Sequence, residues 1–539
     1  MSSPEPLGVS RRSILRGAAI AGAAASLPQI LIPTRAHAAD DDTGGSYTIA
    51  FDDNGAKRQT ILGLGFEIQS DSIGSNEGAP DNNVVSGVPL DLTATGAYTR
   101  FIDKMLKGSR SDRGFRYCRL AMGLYHRGVT ADGKRFEDRY PDQTRKLAQM
   151  VADAGIEGLG VEYWSPAPYW KSNGQLGGAG GPTLASFAPA DLAAMGDAMV
   201  ADLNYLVAQS KATPTSPPRL QISWWGLQNE PHNREATYGG CAYSTDQYRD
   251  TFTIVAPKIK TAFPNVKIHA TSYQGWWQPW GNKLTASSTA LGYIDAWTWH
   301  HIGDNSDGQI TRDYTSGALG RPVFNNEFEY LIHQSPTNDG NTLNTAQSIM
   351  NWMTFQNSPT WWWLHALKPT TDTRAEGYGL GYWRPPGAPA DSRFPNLQPG
   401  DWTWNRRNWN GIAGFVKFMP WDSVRYHVEE PHPANGLATS PVTGTVTPGG
   451  VTYRPHQRIM AWKTPTGKPV LVVTNRGTAD YTFTVDTKTT GTFRGYRYRH
   501  DTDPDTTPGI PNANGSYGKS GPFLTLTVPP MSIEFWVHD

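Results

Sequence analysis

The chain has 539 residues, and its 48 basic and 48 acidic side chains give a formal net charge of zero. This balance excludes the electrostatic signature of a polyanion-binding protein, so we predict no nucleic-acid partner and no membrane partner for the mature form. The length predicts one large domain with at least one smaller one. The 20 tryptophans favour an uncharged, carbohydrate-like partner, because an indole offers an apolar face beside an N–H donor.

The first 38 residues have the pattern of an export signal. Arg11-Arg12 precedes a weakly apolar run to about Ile32, and Ala36-His37-Ala38 follows as a small-x-small cleavage site. We predict a twin-arginine signal peptide over 1–38 and a secreted protein. A membrane anchor is the weaker alternative, because the apolar run is shorter than the ~20 residues that a spanning helix needs.

Between residues 60 and 418, short apolar strands alternate with helical segments, which predicts a (β/α)8 TIM barrel as the catalytic domain. The predicted strands are 61–69, 115–123, 159–164, 220–227, 266–272, 296–301, 323–327 and 360–367. The predicted helices are 95–106, 141–154, 191–209, 248–263 and 344–357. A Trp/Pro-rich insertion over 369–408 is expected to close one end of the cleft.

After Trp421 the helical period disappears, and alternating apolar residues with turns predict an antiparallel β-sandwich. We assign residues 419–539 to this side domain, together with 47–59, because the N-terminal strand at Tyr47 otherwise lacks a partner. Cys118 and Cys241 form neither a disulfide framework nor a metal cluster. Two unpaired thiols are favoured, and a single late disulfide stays open.

Two glutamates directly follow buried strands, Glu230 after the fourth and Glu327 after the seventh. The carboxyl ends of barrel strands open into the active site, and paired carboxylates there are what glycosidic cleavage requires. We predict Glu230 as the acid/base and Glu327 as the nucleophile of a retaining reaction. The structural alternative for Glu230 is a carboxylate at a helix N-terminus. Glu329 competes with Glu327, since both lie on the same side of a regular strand.

Asn229-Glu230-Pro231 after strand four, with Glu327 followed by an aromatic residue after strand seven, resembles the clan of retaining (β/α)8 glycosidases. Within that clan the chain is most similar to glycoside hydrolase family 30. The similarity rests on SPAPYWKSNG at 165–174, a histidine ending strand six, a sandwich built from both termini, and VPPMS at 528–532.

The resemblance implies that Asn229 binds the sugar 2-hydroxyl and that Arg119 steadies the nucleophile. It also implies a ring of side chains around the sugar subsite: His300, Trp164, Trp170, Tyr273 and Trp363. The structural alternatives are an ordinary ion pair for Arg119, a hydrogen-bonded strand-end histidine for His300 or His301, and core packing for each tryptophan.

Two departures from the family bear on the substrate. Strand one ends in Glu67-Ile68-Gln69-Ser70-Asp71 where the family has glycines, so Glu67 and Asp71 either hold sugar hydroxyls or cap the barrel mouth. The family's tyrosine near the nucleophile falls on Ile302.

We therefore expect a secreted, monomeric, retaining glycoside hydrolase that cleaves a β-linked and mostly neutral polysaccharide or oligosaccharide, with β-1,6-galactan or β-1,6-glucan favoured. No cofactor and no metal are expected, because His300-His301 is adjacent rather than at ligand spacing. The alternative is a non-catalytic carbohydrate-binding protein on a TIM-barrel scaffold, which needs the aromatic residues but not both glutamates.

Overall fold

A computed structural model describes residues 43–67, 92–109, 114–124, 127–234, 238–274, 278–300, 306, 310, 315, 317–330, 338–372, 375–430, 438–439, 452–506, 509–510 and 518–539. The predicted signal peptide lies outside these residues, as do Asp71, His301 and Ile302. Residues 44–539 form one compact unit.

Eight parallel strands close into a barrel, which confirms the predicted fold class. In chain order they are Gly63–Glu67, Tyr117–Met122, Gly158–Tyr163, Ile222–Gly226, Lys267–Gln274, Ala296–His300, Val323–Phe328 and Thr360–Trp363. Consecutive strands pair throughout, and the eighth closes on the first, with Trp361 opposite Leu64.

The first and last barrel strands are shorter than predicted. The segment predicted as strand one is divided near Gly63, whose φ of 131° suits glycine. The preceding strand, Lys57–Ile61, instead pairs with Ser423–Tyr426 in the side domain. The eighth barrel strand stops at Trp363, and the chain continues as His365–Pro369 in a different sheet.

The barrel interior begins with an aromatic layer, formed by Tyr117, Trp224, Phe324 and Trp362 with Ala296. Gly65 and Gly160 leave space for the Trp362 indole, because a Cβ on either would lie 2.5 or 2.6 Å from it. Side chains two residues further along a strand point the same way. The layer above the aromatic floor therefore contains charged and amide groups.

Helices cover the outside of the barrel and of the joint between the domains. They are Ala97–Arg100 with a π-helical continuation over Phe101–Leu106, Gln143–Ala154, Pro189–Gln209, Thr245–Ala262, Gln278–Thr285, Ser288–Tyr293, Asn338–Phe355, Ala375–Tyr378 and Arg406–Phe418. The insertion at 369–408 contributes a small sheet, in which Gly379–Trp383 pairs with His365–Pro369 and with Trp402–Trp404. Among the described helices, none combines the length and apolar character that a bilayer crossing requires.

The side domain contains one eight-stranded sheet that wraps around its own apolar core. Its strands are Gly44–Thr48, Lys57–Ile61, Ser423–Tyr426, Gln457–Lys463, Pro469–Asn475, Tyr481–Tyr498, Lys519–Val528 and Ser532–His538. The N-terminal strand pairs with Tyr481–Tyr498, as expected from its lack of another partner, although the two run parallel. Two short pairs lie outside this sheet and the barrel, Gly128–Val129 with Phe136–Glu137 and Ala438–Thr439 with Thr452–Tyr453.

The two cysteines are both free and buried, which confirms the prediction of unpaired thiols. Cys118 lies on the second barrel strand with its side chain fully buried. Burial raises the pKa of the Cys241 thiol to about 12, so this sulfur stays protonated near neutral pH.

Asp202 links the helix Pro189–Gln209 to the barrel wall. Its carboxylate accepts a hydrogen bond from the Phe136 N–H at 2.7 Å and another from the Tyr163 hydroxyl at 3.2 Å. Burial is the main reason that the pKa of Asp202 is raised to about 8. The native protein therefore holds a proton that the unfolded chain releases near pH 4, and native stability falls as the pH rises from about 4 towards 8.

We predict that Asp202→Asn, which resembles the protonated acid, increases the free energy of unfolding at pH 8 by on the order of 1–3 kcal/mol and that the gain shrinks towards pH 4. Urea denaturation at several pH values measures this difference. Asp197→Asn, at an exposed position on the same helix, controls for the loss of one carboxylate. Equal pH dependences for wild type and Asp202→Asn would contradict the prediction.

Candidate active site

Arg119, two residues beyond Tyr117 on the second barrel strand, lies at the centre of the polar layer. Its Nη1 donates to Glu327 Oε2 at 2.6 Å and to Glu67 Oε2 at 3.2 Å, and its Nη2 donates to Asn229 Oδ1 at 2.8 Å. The guanidinium is 1% exposed. Burial lowers the pKa of Arg119, but the surrounding carboxylates outweigh that effect and raise it, so the group stays cationic.

A third carboxylate on Arg119 belongs to Glu162, which the sequence analysis missed. Glu162 Oε2 accepts from Arg119 Nη2 at 2.5 Å and from Nε at 3.2 Å. It also accepts from Asn326 Nδ2 at 3.2 Å. Burial alone would raise the pKa of Glu162, but nearby positive charge, above all that of Arg119, holds it below its usual value. The signal in the sequence was a lone acid two residues after Gly160 in an otherwise apolar strand.

Glu67 differs from Glu162 although both contact the same guanidinium. It is completely buried, and burial, together with the charges of the neighbouring glutamates, raises its pKa well above the usual value in spite of Arg119. Three carboxylates around one cation leave an excess of negative charge, and this excess acts in the same direction as burial on the pKa of Glu67. His365 lies behind it, with Nδ1 4.0 Å from Glu67 Oε1.

Glu230 follows the fourth barrel strand in a strained conformation. Its φ of 45° is unusual for a residue with a side chain, and its N–H donates to the Ser272 carbonyl at 3.0 Å. The residue is 8% exposed, and its side chain receives hydrogen bonds at Oε2 from Asn233 at 3.1 Å and from the Tyr238 hydroxyl at 3.4 Å. These two partners lie in the loop after Pro231 and were also missed, because the strand pattern does not extend into that loop.

His300 lies between the two predicted catalytic acids. Its Nδ1 is 3.2 Å from Glu230 Oε1, and its Nε2 is 3.6 Å from Glu327 Oε2. One oxygen from each glutamate and one nitrogen of His300 all lie within 4.8 Å of one another. The His300 imidazole therefore lies beside Glu327. In the family a tyrosine is expected near this carboxylate, and the matching position here, Ile302, lies outside the described residues.

The structure brings two of the predicted aromatic residues to this site. The Trp164 ring covers the Arg119 guanidinium, with 4.5 Å from Cζ to the ring centroid. Tyr273 lies half-buried near the end of the fifth strand, and its pKa is raised by burial and then by the charge of Glu230. Its ring packs edge-on against His232 at 4.1 Å, which places His232 in the same wall.

The other two tryptophans predicted for the sugar subsite, Trp363 and Trp170, each donate a hydrogen bond to a backbone carbonyl. Trp363 is not part of the sugar subsite: its side chain is fully buried, its ring packs on Phe328, and its Nε1 donates to the Tyr378 carbonyl at 2.9 Å. Trp361 and Trp363 point outward from the eighth strand, because alternation directs Trp362 inward. Trp170 is half-buried on a 3₁₀ turn, where its indole N–H donates to the Lys134 carbonyl at 2.9 Å.

Within the described part of the chain, the side chains best placed to share a cation are Glu230, His300 and Glu327. However, Arg119 already places a positive charge 2.6 Å from Glu327. The donor set therefore fits an acid pair with its own counter-ion better than a metal centre.

The comparisons with known proteins agree with this fold. The sequence model of the glycosyl hydrolase family 30 beta sandwich domain matches residues 454–533. No curated protein matches the chain by sequence. A glycoside hydrolase family 30 subfamily 8 xylanase from Clostridium acetobutylicum superposes with a TM-score of 0.61 at 17% identity, covering 92% of this chain and 99% of that chain.

The chain therefore has the fold of the family 30 glycoside hydrolases, and its residues 454–533 match the beta sandwich domain of that family. Two further structures show how widely the fold is used. An endo-β-1,6-glucanase superposes with a TM-score of 0.61 at 13% identity, over 92% of this chain and 94% of that chain. An α-L-arabinofuranosidase from Thermotoga maritima gives 0.54 at 13% identity, over 92% of this chain and 99% of that chain. Because these enzymes act on different sugars, the shared fold leaves the substrate of this chain open.

We predict that Arg119→Lys lowers the free energy of unfolding by about 2–4 kcal/mol and reduces kcat at least ~100-fold, because one ammonium cannot span three carboxylates and Asn229. Chemical denaturation and initial rates measure the two effects. Arg116→Lys is the matched control: Arg116 also pairs with a glutamate, Glu157 at 2.5 Å, but at the partly exposed start of the barrel. Losses of equal size in both variants would refute the central role of Arg119.

Proposed function

We propose that this glycoside hydrolase cleaves a β-linked, mostly neutral polysaccharide or oligosaccharide with retention, by double displacement. Glu327 attacks the anomeric carbon while Glu230 protonates the departing oxygen, and Glu230 then takes a proton from the water that releases the sugar. The observation that carries the proposal is that oxygens of Glu230 and Glu327 lie within 4.8 Å of each other, with His300 contacting both sides. That separation suits a retaining pair, which needs ~5–5.5 Å, rather than an inverting pair.

The surroundings of each acid fit its proposed role. Glu327 has a permanent cation at one oxygen, as a nucleophile that must stay ionised requires. Glu230 Oε2 already accepts from Asn233 and Tyr238, so we place the transferable proton on Oε1, next to His300. Protonation of the leaving group then proceeds from an acid whose other oxygen is fixed.

The substrate contacts follow from the hydrogen bonds that remain. Asn229 gives its Oδ1 to Arg119, so its Nδ2 group is left to donate to the sugar 2-hydroxyl. Glu67 was also expected to hold a sugar hydroxyl, but it is completely buried, so we assign it to the carboxylates around Arg119 instead. The Trp164 and Tyr273 rings form the aromatic walls on which a sugar face packs.

We propose β-1,6-galactan or β-1,6-glucan as the substrate, secretion through the signal at 1–38, and action as a monomer. The zero net charge supports a neutral polymer over an acidic one, since a cleft for uronic acids would need cations in excess.

We predict that Glu327→Gly abolishes hydrolysis and that azide restores turnover with a glycosyl azide of inverted configuration, because azide fills the nucleophile's place. Glu230→Ala with azide should give the retained azide from a substrate with a good leaving group, since the enzyme's own nucleophile still acts first. Nuclear magnetic resonance of the products distinguishes the two configurations.

Glu329→Gly is the matched control for the nucleophile, since Glu329 lies two residues further along the same segment and is also buried. Azide rescue of Glu329→Gly with an inverted product, and none of Glu327→Gly, would transfer the role to Glu329. Full activity of Glu327→Gly without azide would reject the mechanism.

We predict that a panel of neutral polysaccharides incubated with the mature protein yields shortened products from a β-1,6-linked galactan or glucan. Product sizing separates endo from exo action, and size-exclusion chromatography tests the monomer. Binding without cleavage of any polymer, unaffected by Glu230→Gln, would instead favour a carbohydrate-binding protein.

A further inference from the structure

Glu162 is buried in the active site but neither touches the proposed sugar subsite nor belongs to the acid pair. It is 1% exposed and lies on the third barrel strand, one position before Tyr163 at the strand's end. Its Oε2 receives three hydrogen bonds, two from Arg119 and one from Asn326. A buried carboxylate with this many charge-assisted contacts fixes the groups that contact it.

We propose that Glu162 is a positioning residue for the hydrolysis: it orients the Arg119 guanidinium and shares its positive charge, so that Glu327 keeps both its direction and its nucleophilicity. This inference rests on the retaining mechanism proposed above. Nothing in the family resemblance assigned a role to this position.

The first part of the argument is geometric. Glu162 binds the Nε–Nη2 edge of the planar guanidinium, which leaves Nη1 facing Glu327 at 2.6 Å. Because the five N–H groups of arginine form a rigid fork, fixing one edge fixes the direction of the other. Asn326 also helps to fix the direction of Glu327, since it donates to Glu162 and precedes Glu327 in the chain.

The second part is electrostatic. A guanidinium paired with Glu327 alone would stabilise that carboxylate strongly and make it a weaker nucleophile. Glu162 takes part of this charge, since its contact with Arg119 at 2.5 Å is as close as the Glu327 contact at 2.6 Å. Burial of the whole cluster keeps water from screening this competition.

Several other elements face Glu162. Glu67 of the first strand shares Arg119 with it, His269 and Ser272 lie on the fifth strand, and His300 lies on the sixth. Burial lowers the pKa of His269 to about 4, so this neighbour is neutral above that pH. Gly226 of the fourth strand adds no charge, and a Cβ there would come 3.0 Å from Glu162 Oε1. Arg119 therefore supplies the main positive charge that Glu162 and Glu327 share.

The test is the pH profile of kcat/KM for Glu162→Gln. With one negative charge removed, the positive charge of Arg119 acts more fully on Glu327, so the acidic limb should move about 0.5–1 pH unit lower. The value of kcat should fall ~10–100-fold with little change in KM, because the side chain does not touch the sugar. A purely structural residue would lower activity and thermal stability without moving the limb.

Two further variants keep the inference falsifiable. Glu162→Asp retains the charge, so its acidic limb should stay at the wild-type position although the shorter side chain lowers kcat. Glu157→Gln, on the segment leading into the same strand, should leave the profile unchanged, because Glu157 pairs with Arg116 far from the acid pair. If the Gln variant does not fold, a wild-type kcat in Glu162→Asp overturns the proposal.

The possible failures are distinguishable. A wild-type protein that cleaves no glycoside removes the proposed function and this inference with it. A wild-type protein that hydrolyses its substrate, beside a folded Glu162→Gln whose acidic limb does not move, overturns the role of Glu162 alone.

Discussion

The candidate active site depends on one buried cation. Arg119 is surrounded by Glu67, Glu162 and Glu327, all of them almost fully buried, and it donates to each. Removal of three carboxylates from water would be prohibitive without a counter-ion and without hydrogen bonds to their oxygens. A single guanidinium can serve all three because its donors point in different directions in one plane. The excess negative charge is accommodated unequally, with the pKa of Glu67 raised and that of Glu162 lowered.

The position of this cluster follows from the packed layer beneath it. Trp362 fills the barrel between Gly65 and Gly160, and Tyr117 and Trp224 pack around it. The strand period then places the polar residues one layer higher: Glu67 two residues after Gly65, Arg119 after Tyr117, and Glu162 after Gly160. A floor of rigid rings holds the Cα positions of these residues, which a hydrogen-bonded cluster needs if its distances are to persist.

The fold and the proximity of Glu230 to Glu327 could be predicted from the sequence because both are expressed in local patterns. Eight apolar strands alternating with helices specify a barrel, and Glu230 and Glu327 stand where such strands end. Glu162 could not be recognised in the same way, since it lies inside a strand and its meaning comes from Arg119 on another strand. Trp363 was assigned to the sugar subsite because three consecutive tryptophans end the eighth strand and the sequence does not show which of them faces the barrel interior. Packing against Gly65 shows that Trp362 faces inward, so its neighbours Trp361 and Trp363 face outward.

An irregularity in the seventh strand explains how two adjacent side chains serve the same site. Trp299 pairs with Asn325 but His300 pairs with Glu327, so Asn326 is an extra residue opposite the sixth strand. In a regular strand Asn326 and Glu327 would point to opposite faces. The extra residue acts as a bulge, which re-aims side chains locally. As a result Asn326 reaches Glu162 and Ser272 while Glu327 reaches Arg119 and stands beside His300.

The same kind of local distortion occurs across the site. Glu230, Thr271 and Ser272 all have positive φ values, of 45°, 86° and 26°. Such conformations cost on the order of 1–3 kcal/mol each and persist only where the surrounding structure enforces them. Here the Ser272 carbonyl accepts from the Glu230 N–H, and the Ser272 hydroxyl accepts from Asn326. Hydrogen bonds through Ser272 thus connect the strained ends of strands four and five to the bulge of strand seven. Together these contacts position Glu230 and Glu327 on opposite sides of His300.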